Sequence, residues 1–175
     1  QNCGNRFTMD QVGLRAGVVI GKATNYARAV ACRPGNIAGP AAMVREAKEL
    51  AARTGMKIQV ITAAQAKRLG MGGLVAVGQA SVQPPALVLL HWKGKAKGGQ
   101  RPVAVVGKTL TFDAGGISIK PAADMDQMKY DKCGGCAVLG IMQAIAELKL
   151  EREVIGVLGI AENTLGGNAY RPGDI

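Results

Sequence analysis

Val103-Ala104-Val105-Val106 runs apolar for four residues without a polar break, and the charged and Gly-rich stretch Gly107-Lys108-Thr109 to Asp113-Ala114-Gly115-Gly116 follows directly. A strand with one face in water alternates polar and apolar side chains, whereas an unbroken apolar run fits a strand buried on both faces. Two more runs have the same character, Ala86-Leu87-Val88-Leu89-Leu90 before it and Val154 to Ile160 after it. Between the last two, Val138, Leu139, Met142, Ile145 and Leu148 recur at helical spacing behind the pair Gly134-Gly135. Strands alternating with helices predict an α/β domain: a three-layer sandwich whose sheet is largely parallel or mixed and covered by helices on both faces.

Working toward the N-terminus, the pattern continues. Lys57 to Thr62 reads as a strand, Ala63 to Leu69 as a short helix, and Leu74 to Gln79 as a helical turn stopped by Pro84-Pro85. Met43, Val44, Ala47, Leu50 and Ala51 share one helical face, with Pro40 in the first turn and Gly55 as the stop. Ahead of these, Thr8 or Asp10 is the expected cap of a helix reaching about Cys32, within a lead-in segment 1–33 that ends at Arg33-Pro34-Gly35. Function in such folds gathers where strands give way to loops, which directs attention to 107–131 and 161–175.

At 175 residues the chain has the length of one domain, and 48% hydrophobic content with 3% aromatic implies an aliphatic core. The net charge of +10 raises nucleic-acid binding as a function class. The basic residues are scattered, however, except for Lys93, Lys95 and Lys97 in one Gly-rich loop, and the stacking aromatics of a single-strand binder are missing. Nucleic acid is therefore not the expected partner. Four cysteines in a chain of this length do not make a secreted disulfide framework. The N-terminal residues lack the pattern of a signal peptide, and no apolar run reaches the ~20 residues of a membrane span. A cytoplasmic setting without membrane attachment is the expectation, and a chain that begins at Gln1 and stops at Ile175 reads as a piece cut at both ends.

Several motifs fail on spacing. Gly107-Lys108-Thr109 ends like a phosphate-binding loop, but that loop needs Gly where Pro102 stands. Gly70-Met71-Gly72 is no dinucleotide fingerprint, because the third glycine would fall at Val75. The single histidine, His91, lies inside an apolar strand edge, so neither a Ser-His-Asp triad nor a His-rich zinc site is expected. Cys133-Gly134-Gly135-Cys136 has a redox reading, against which stands a packing reading in which small residues let a helix approach its neighbour closely. Ser118 and Lys120 are two apart and form a possible nucleophile pair if extended. What remains is a concentration of charge around Asp113: Lys108, Lys120, Asp124, Asp126 and Asp131, interleaved with Ile117, Ile119, Met125 and Met128. Carboxylates on Gly-rich loops at the end of a buried strand suit divalent cations, although a charge run is often only a solvated face.

Val106-Gly107-Lys108-Thr109-Leu110-Thr111-Phe112-Asp113-Ala114-Gly115-Gly116-Ile117-Ser118-Ile119-Lys120-Pro121 resembles the metal-binding segment of the leucine aminopeptidase (cytosol aminopeptidase) family. The likeness continues through Met125 to Asp131 and returns at Glu162-Asn163 and Ala169-Tyr170-Arg171-Pro172-Gly173-Asp174. Upstream it touches Asn25 to Arg28, Pro34 to Asn36, Leu69 to Leu74 and Val77 to Ser81, so it spans nearly the whole chain.

The resemblance implies that 1–175 is the N-terminal part of a catalytic metallopeptidase domain, without the family's preceding domain or the second half of the catalytic domain. It implies Lys108, Asp113 and Asp131 as metal ligands, Lys120 as the catalytic lysine that polarises the scissile carbonyl, and Met128 as an apolar residue lining the pocket for the substrate's N-terminal side chain. The family's cofactors are two divalent ions, Mn²⁺ or Zn²⁺, and its partners are peptides with a free N-terminus and five further copies in a hexamer. Its signature Asn-Thr-Asp-Ala-Glu-Gly-Arg, with two more metal ligands and the Arg that orients a bicarbonate, lies beyond Ile175. The expectation is a leucine-type aminopeptidase by family, inactive as this piece alone; the alternative is a non-catalytic fragment or nucleic-acid-binding module.

Overall fold

The computed structural model describes residues 3–95, 100–166 and 169–175, and side chains from residue 11 onward. Lys97 of the basic loop lies outside the described residues.

The chain opens with helix α1 (Cys3–Ala31), which starts upstream of Thr8 and Asp10, so neither residue caps it. It ends, as the sequence indicates, just before Arg33-Pro34-Gly35. Helix α2 (Pro40–Thr54) has Pro at its first position, where the missing N–H costs no hydrogen bond, and Gly55 at φ 72° as its left-handed stop. Strand β1 (Lys57–Thr62) leads into helix α3 (Ala63–Arg68), whose start is fixed by a reciprocal cap between Thr62 and Gln65. Helix α4 (Gly72–Gly78), strand β2 (Ala86–Trp92) and strand β3 (Val103–Asp113) follow. A 3₁₀ segment (Met125–Lys132), helix α5 (Cys133–Glu147) and strand β4 (Val154–Asn163) complete the order.

The four strands form one mixed sheet in the order β1-β2-β4-β3. β1 and β2 run antiparallel, as do β2 and β4, and β3 runs parallel to β4. Parallel pairing is thus confined to β3 and β4. The apolar runs carry no information on strand direction, and the run Val103–Val106 does not mark burial on both faces as expected: β3 is an edge strand, and Val103 and Val106 are 43% and 73% exposed.

Val88, Leu90, Leu158 and Ile160 are completely buried on one face of the sheet, where they join Val30, Met43, Leu50, Leu139 and Met142 of α1, α2 and α5 in a single core. On the other face, α3 lies beside Gln59 and Ile61 of β1. Helices therefore flank the sheet on both sides.

α5 lies close against β3. A Cβ on Gly107 would stand 2.3 Å from the backbone oxygen of Gly134, and one on Gly135 would stand 2.1 Å from Oγ1 of Thr109. Real Cβ contacts do not come so near, so the Gly-Gly pair is required by packing. This favours the packing reading of Cys133-Gly134-Gly135-Cys136. Cys136 is buried, and desolvation pushes its thiol up to about 12, away from the thiolate that redox chemistry uses.

Candidate functional site

β3 is longer than the apolar run that announces it. Beyond Val106 it continues through Thr109, Leu110, Thr111 and Phe112 to Asp113, with a register shift against β4 between Leu110 and Asp113. The shift ends the regular ladder where the carboxylate is placed. A loop with Gly115 at φ 95° and Gly116 at φ 86° then turns the chain back. Its Lys120 N–H donates to the Ala114 carbonyl at 3.0 Å, which closes the turn. The 3₁₀ segment after it packs along β3. Two elements therefore meet at one seam: β3 brings Lys108 and Asp113, and the 3₁₀ segment brings Met128 and Asp131.

The five residues singled out from the sequence sort into two groups along this seam. Lys120 Nζ lies 2.6 Å from Oδ2 of Asp113 and 3.1 Å from Sδ of Met128. Lys108 Nζ lies 2.7 Å from Oδ2 of Asp131. Lys120 is thus committed to Asp113 and Met128, and among the described residues no hydrogen bond joins it to Ser118, so the Ser-Lys pair does not form. Asp124 takes a left-handed φ of 59° at the start of the 3₁₀ segment, and Asp126 accepts from its neighbour Gln127, so both have local roles.

Asp113 is the most constrained of the set. Its Oδ1 accepts from the Gly115 N–H at 3.1 Å and from Nδ2 of Asn163 at 2.7 Å. Burial, the largest single influence, pushes its carboxyl up. The hydrogen bonds from Lys120, Asn163 and Gly115, with the Lys120 charge, outweigh that push and hold the group below the usual 3.8. An ionised, oriented carboxylate is what a hard cation requires.

The donor set fits a divalent ion on a second observation. Oδ2 of Asp131 is buried and, despite the nearby ammonium of Lys108, makes no hydrogen bond of acceptable angle. Its lone pairs are therefore available to another electrophile. Two carboxylates and one amine are a chemically suitable set, but they fall short of the four ligands of a closed zinc site. Among the described residues no group of three or more His, Cys, Asp or Glu side chains is gathered for a metal.

Residues outside the singled-out set hold the seam in place. Asn163 pairs across the parallel ladder with Asp113, so two adjacent strands ending together supply both the carboxylate and its donor. Lys132, next to Asp131, is fully buried and donates to the Arg33 carbonyl at 2.8 Å and the Lys129 carbonyl at 2.5 Å, tying the 3₁₀ segment to the turn after α1. Burial lowers the pKa of its ammonium. Glu162 is fully buried between Ser81 Oγ at 2.5 Å and the Arg171 guanidinium at 2.5 Å, and Arg171 also meets Asp174 at 3.1 Å. Asp174 in turn accepts from the Asn36 N–H at 3.1 Å. The signal for Asn163 was its position at the end of a buried strand; a lysine followed by Cys-Gly-Gly-Cys gives no such signal for Lys132.

His91 takes no part. Its Nε2 lies 2.6 Å from Glu153 at the opposite end of the sheet.

The cytosol aminopeptidase family, catalytic domain, matches residues 25–175. A probable cytosol aminopeptidase of Nitrosococcus oceani is 49% identical over 164 residues, covering 93% of this chain and 32% of that protein. One from Aquifex aeolicus is 46% identical over 166 residues, with coverages of 95% and 34%. Among solved structures, an apo leucyl aminopeptidase from Trypanosoma cruzi superposes with a TM-score of 0.80 at 33% identity, over 87% of this chain and 30% of that one. The bottromycin maturation enzyme BotP in complex with Mn gives 0.79 at 36% identity, with coverages of 91% and 34%. The chain spans about a third of the length of these relatives. With a family match over most of its residues and a carboxylate-lysine seam at the strand ends, this chain belongs to the cytosol aminopeptidase family.

Proposed function

We propose that this chain carries part of the catalytic centre of a metal-dependent aminopeptidase that releases N-terminal amino acids, leucine among them, from peptides. The observation that carries the reading is the position of Lys120, whose ammonium touches Asp113 on one side and Met128 on the other. A candidate metal ligand, a cationic group and an apolar side chain meet there at one point.

Asp113, Asp131 and Lys108 would hold divalent ions, and Mn²⁺ or Zn²⁺ suits the donors. When bound, such ions supply a hydroxide nucleophile at neutral pH and polarise the scissile carbonyl. Lys108 would serve as a ligand only as a neutral amine, which would make metal loading pH-dependent. Lys120 would stabilise the charge developing on the carbonyl oxygen. Donors of this kind are worth roughly 10²–10³ in rate. Met128 gives the substrate's first side chain an apolar contact, and Asn163 and Gly115 keep Asp113 aimed. By its likeness to the family the complete protein would take its remaining ligands and a bicarbonate-orienting Arg from the Asn-Thr-Asp-Ala-Glu-Gly-Arg segment, act in the cytoplasm and assemble as a hexamer.

Calorimetric titration tests the ligand assignment. The chain should bind Mn²⁺ weakly, and Asp113→Ala should abolish the binding heat while leaving the fold intact. Unchanged affinity in that variant overturns the assignment. The 175-residue chain alone should release no detectable leucine from a leucyl amide, because three donors do not complete two sites.

A further inference from the structure

The end of the sheet opposite Asp113 holds a cavity of about 390 Å³, within the ~300–1,000 Å³ range of small-molecule sites. It opens where β1 begins, β2 ends and the C-termini of α2 and α5 converge. Its lining includes Lys57, Lys93, Lys95 and Lys149, with Trp92 and Leu150 as apolar walls.

Among the described residues none of these four lysines makes an ion pair. Residues 96–99, Ala-Lys-Gly-Gly, contain no carboxylate. Glu153 is engaged with His91, and Glu147 reaches back along α5 to Gln143. Lysines at helix C-termini are ordinarily accounted for by the helix dipole, so the magnitudes decide. Each helix end carries about half a negative charge. The two ends together offset about one of the four positive charges, and among the described residues no carboxylate is in ion-pair contact with any of these lysines. Lys149 also sits at φ 53°, a conformation uncommon outside glycine and asparagine, at the cavity's edge.

Trp92 makes the site more than a basic patch. Its indole N–H is already given to the Leu150 carbonyl at 2.7 Å, so it offers ring surface and no donor. We propose that this cavity binds a phosphorylated small molecule with an aromatic or other apolar body: the oxyanions lie among the lysines, and the body rests against Trp92 and Leu150. The site lies at the far end of the sheet from the aminopeptidase seam and does not rest on that reading.

Trp92 is the only tryptophan of the chain, so its emission reports on this cavity alone. Titration of the 175-residue protein with ADP at low ionic strength should change that emission with a Kd below ~1 mM. Pyrophosphate and adenosine, each carrying half of the recognised chemistry, should bind at least about tenfold more weakly than ADP. Lys57→Ala with Lys93→Ala should weaken ADP at least about tenfold, and the corresponding Arg pair should keep it within a few-fold. If the alanine pair disturbs the unliganded emission, salt serves instead: raising ionic strength to about 0.5 M should weaken ADP binding to the unaltered protein. No response to ~10 mM ADP, a response insensitive to both lysines and salt, or pyrophosphate binding as well as ADP would each overturn the proposal. So would binding of a single-stranded oligonucleotide without binding of ADP.

Discussion

The two ends of the sheet treat their lysines in opposite ways. Where β3 and β4 finish, Lys108 and Lys120 each face a carboxylate at 2.7 and 2.6 Å, and the carboxylates are largely buried. Where β2 finishes, Lys57, Lys93, Lys95 and Lys149 surround a cavity without ion-pair partners among the described residues. The first arrangement is balanced internally, so a cation entering it must displace lysines or protons. The second gathers four ammonium groups that no carboxylate contacts among the described residues, and an outside anion can approach them. The formal +10 of the chain hides this division, because a total says nothing of where charge is left unpaired.

The largest effect that tests the division is on metal affinity. Asn163 touches Asp113 and no substrate, and it acts as a positioning residue. Loss of such support behind a metal ligand costs roughly 10–100-fold in affinity. Asn163→Ala should therefore weaken Mn²⁺ binding by that factor in calorimetry, while Lys93→Ala at the other end leaves it unchanged. Equal losses in the two variants would show that the ends are not independent.

The seam also depends on the close approach of α5 to β3. In Gly107→Ala the new methyl meets the Gly134 backbone, which cannot swing aside as a side chain would. Overpacking of this type costs ~1–3 kcal/mol, and urea midpoints measure it. A midpoint within error of the parent would mean that the contact relaxes at no cost and that the site tolerates a wider gap.

How much of this was legible beforehand follows from what each signal reports. The apolar runs located β2, β3 and β4, although the run in the edge strand β3 is largely exposed and owes its legibility to β-branched composition rather than to burial. They missed the continuation of β3 from Lys108 to Asp113, where charged and polar residues serve the site and break the pattern. The 3₁₀ segment had no signature either, because its charged residues present no apolar stripe at helical spacing. Asp113, Lys120, Asp131, Lys108 and Met128 were recognisable as a constellation, and their sorting into two groups, Lys120 with Asp113 and Met128, and Lys108 with Asp131, was not. That sorting depends on how the Gly115-Gly116 turn and the 3₁₀ segment fold back on β3. The support given by Lys132 arises from contacts 99 residues apart in the chain, which local spacing does not encode.

A more moderate effect compares one lysine from each end. Lys120→Ala leaves Asp113 buried without its strongest donor, which costs ~1–3 kcal/mol. Lys93→Ala removes an exposed charge from an already basic surface and should fall within ±~0.5 kcal/mol. Denaturant melts of the two variants under one buffer settle the contrast. Equal midpoints would erase the distinction between paired and unpaired ends.

The smallest effect is in the acid limb of stability, and its sign is fixed by Asp113. The folded chain holds this carboxyl below the ordinary 3.8, through Lys120, Asn163 and Gly115 acting against desolvation. A group whose folded pKa is depressed contributes stability that is fully present above its unfolded pKa. The contribution is lost as pH falls through the folded pKa, since the unfolded chain takes up the proton first. The loss for one group proceeds at no more than about 1.4 kcal/mol per pH unit. Urea melts between about pH 5 and pH 3 should therefore show a steeper fall for the parent chain than for Asp113→Asn, with the curves converging toward the acid side. Parallel curves would mean that Asp113 gains nothing from its neighbours on folding, and the balanced end of the sheet would then be no better matched than the open one.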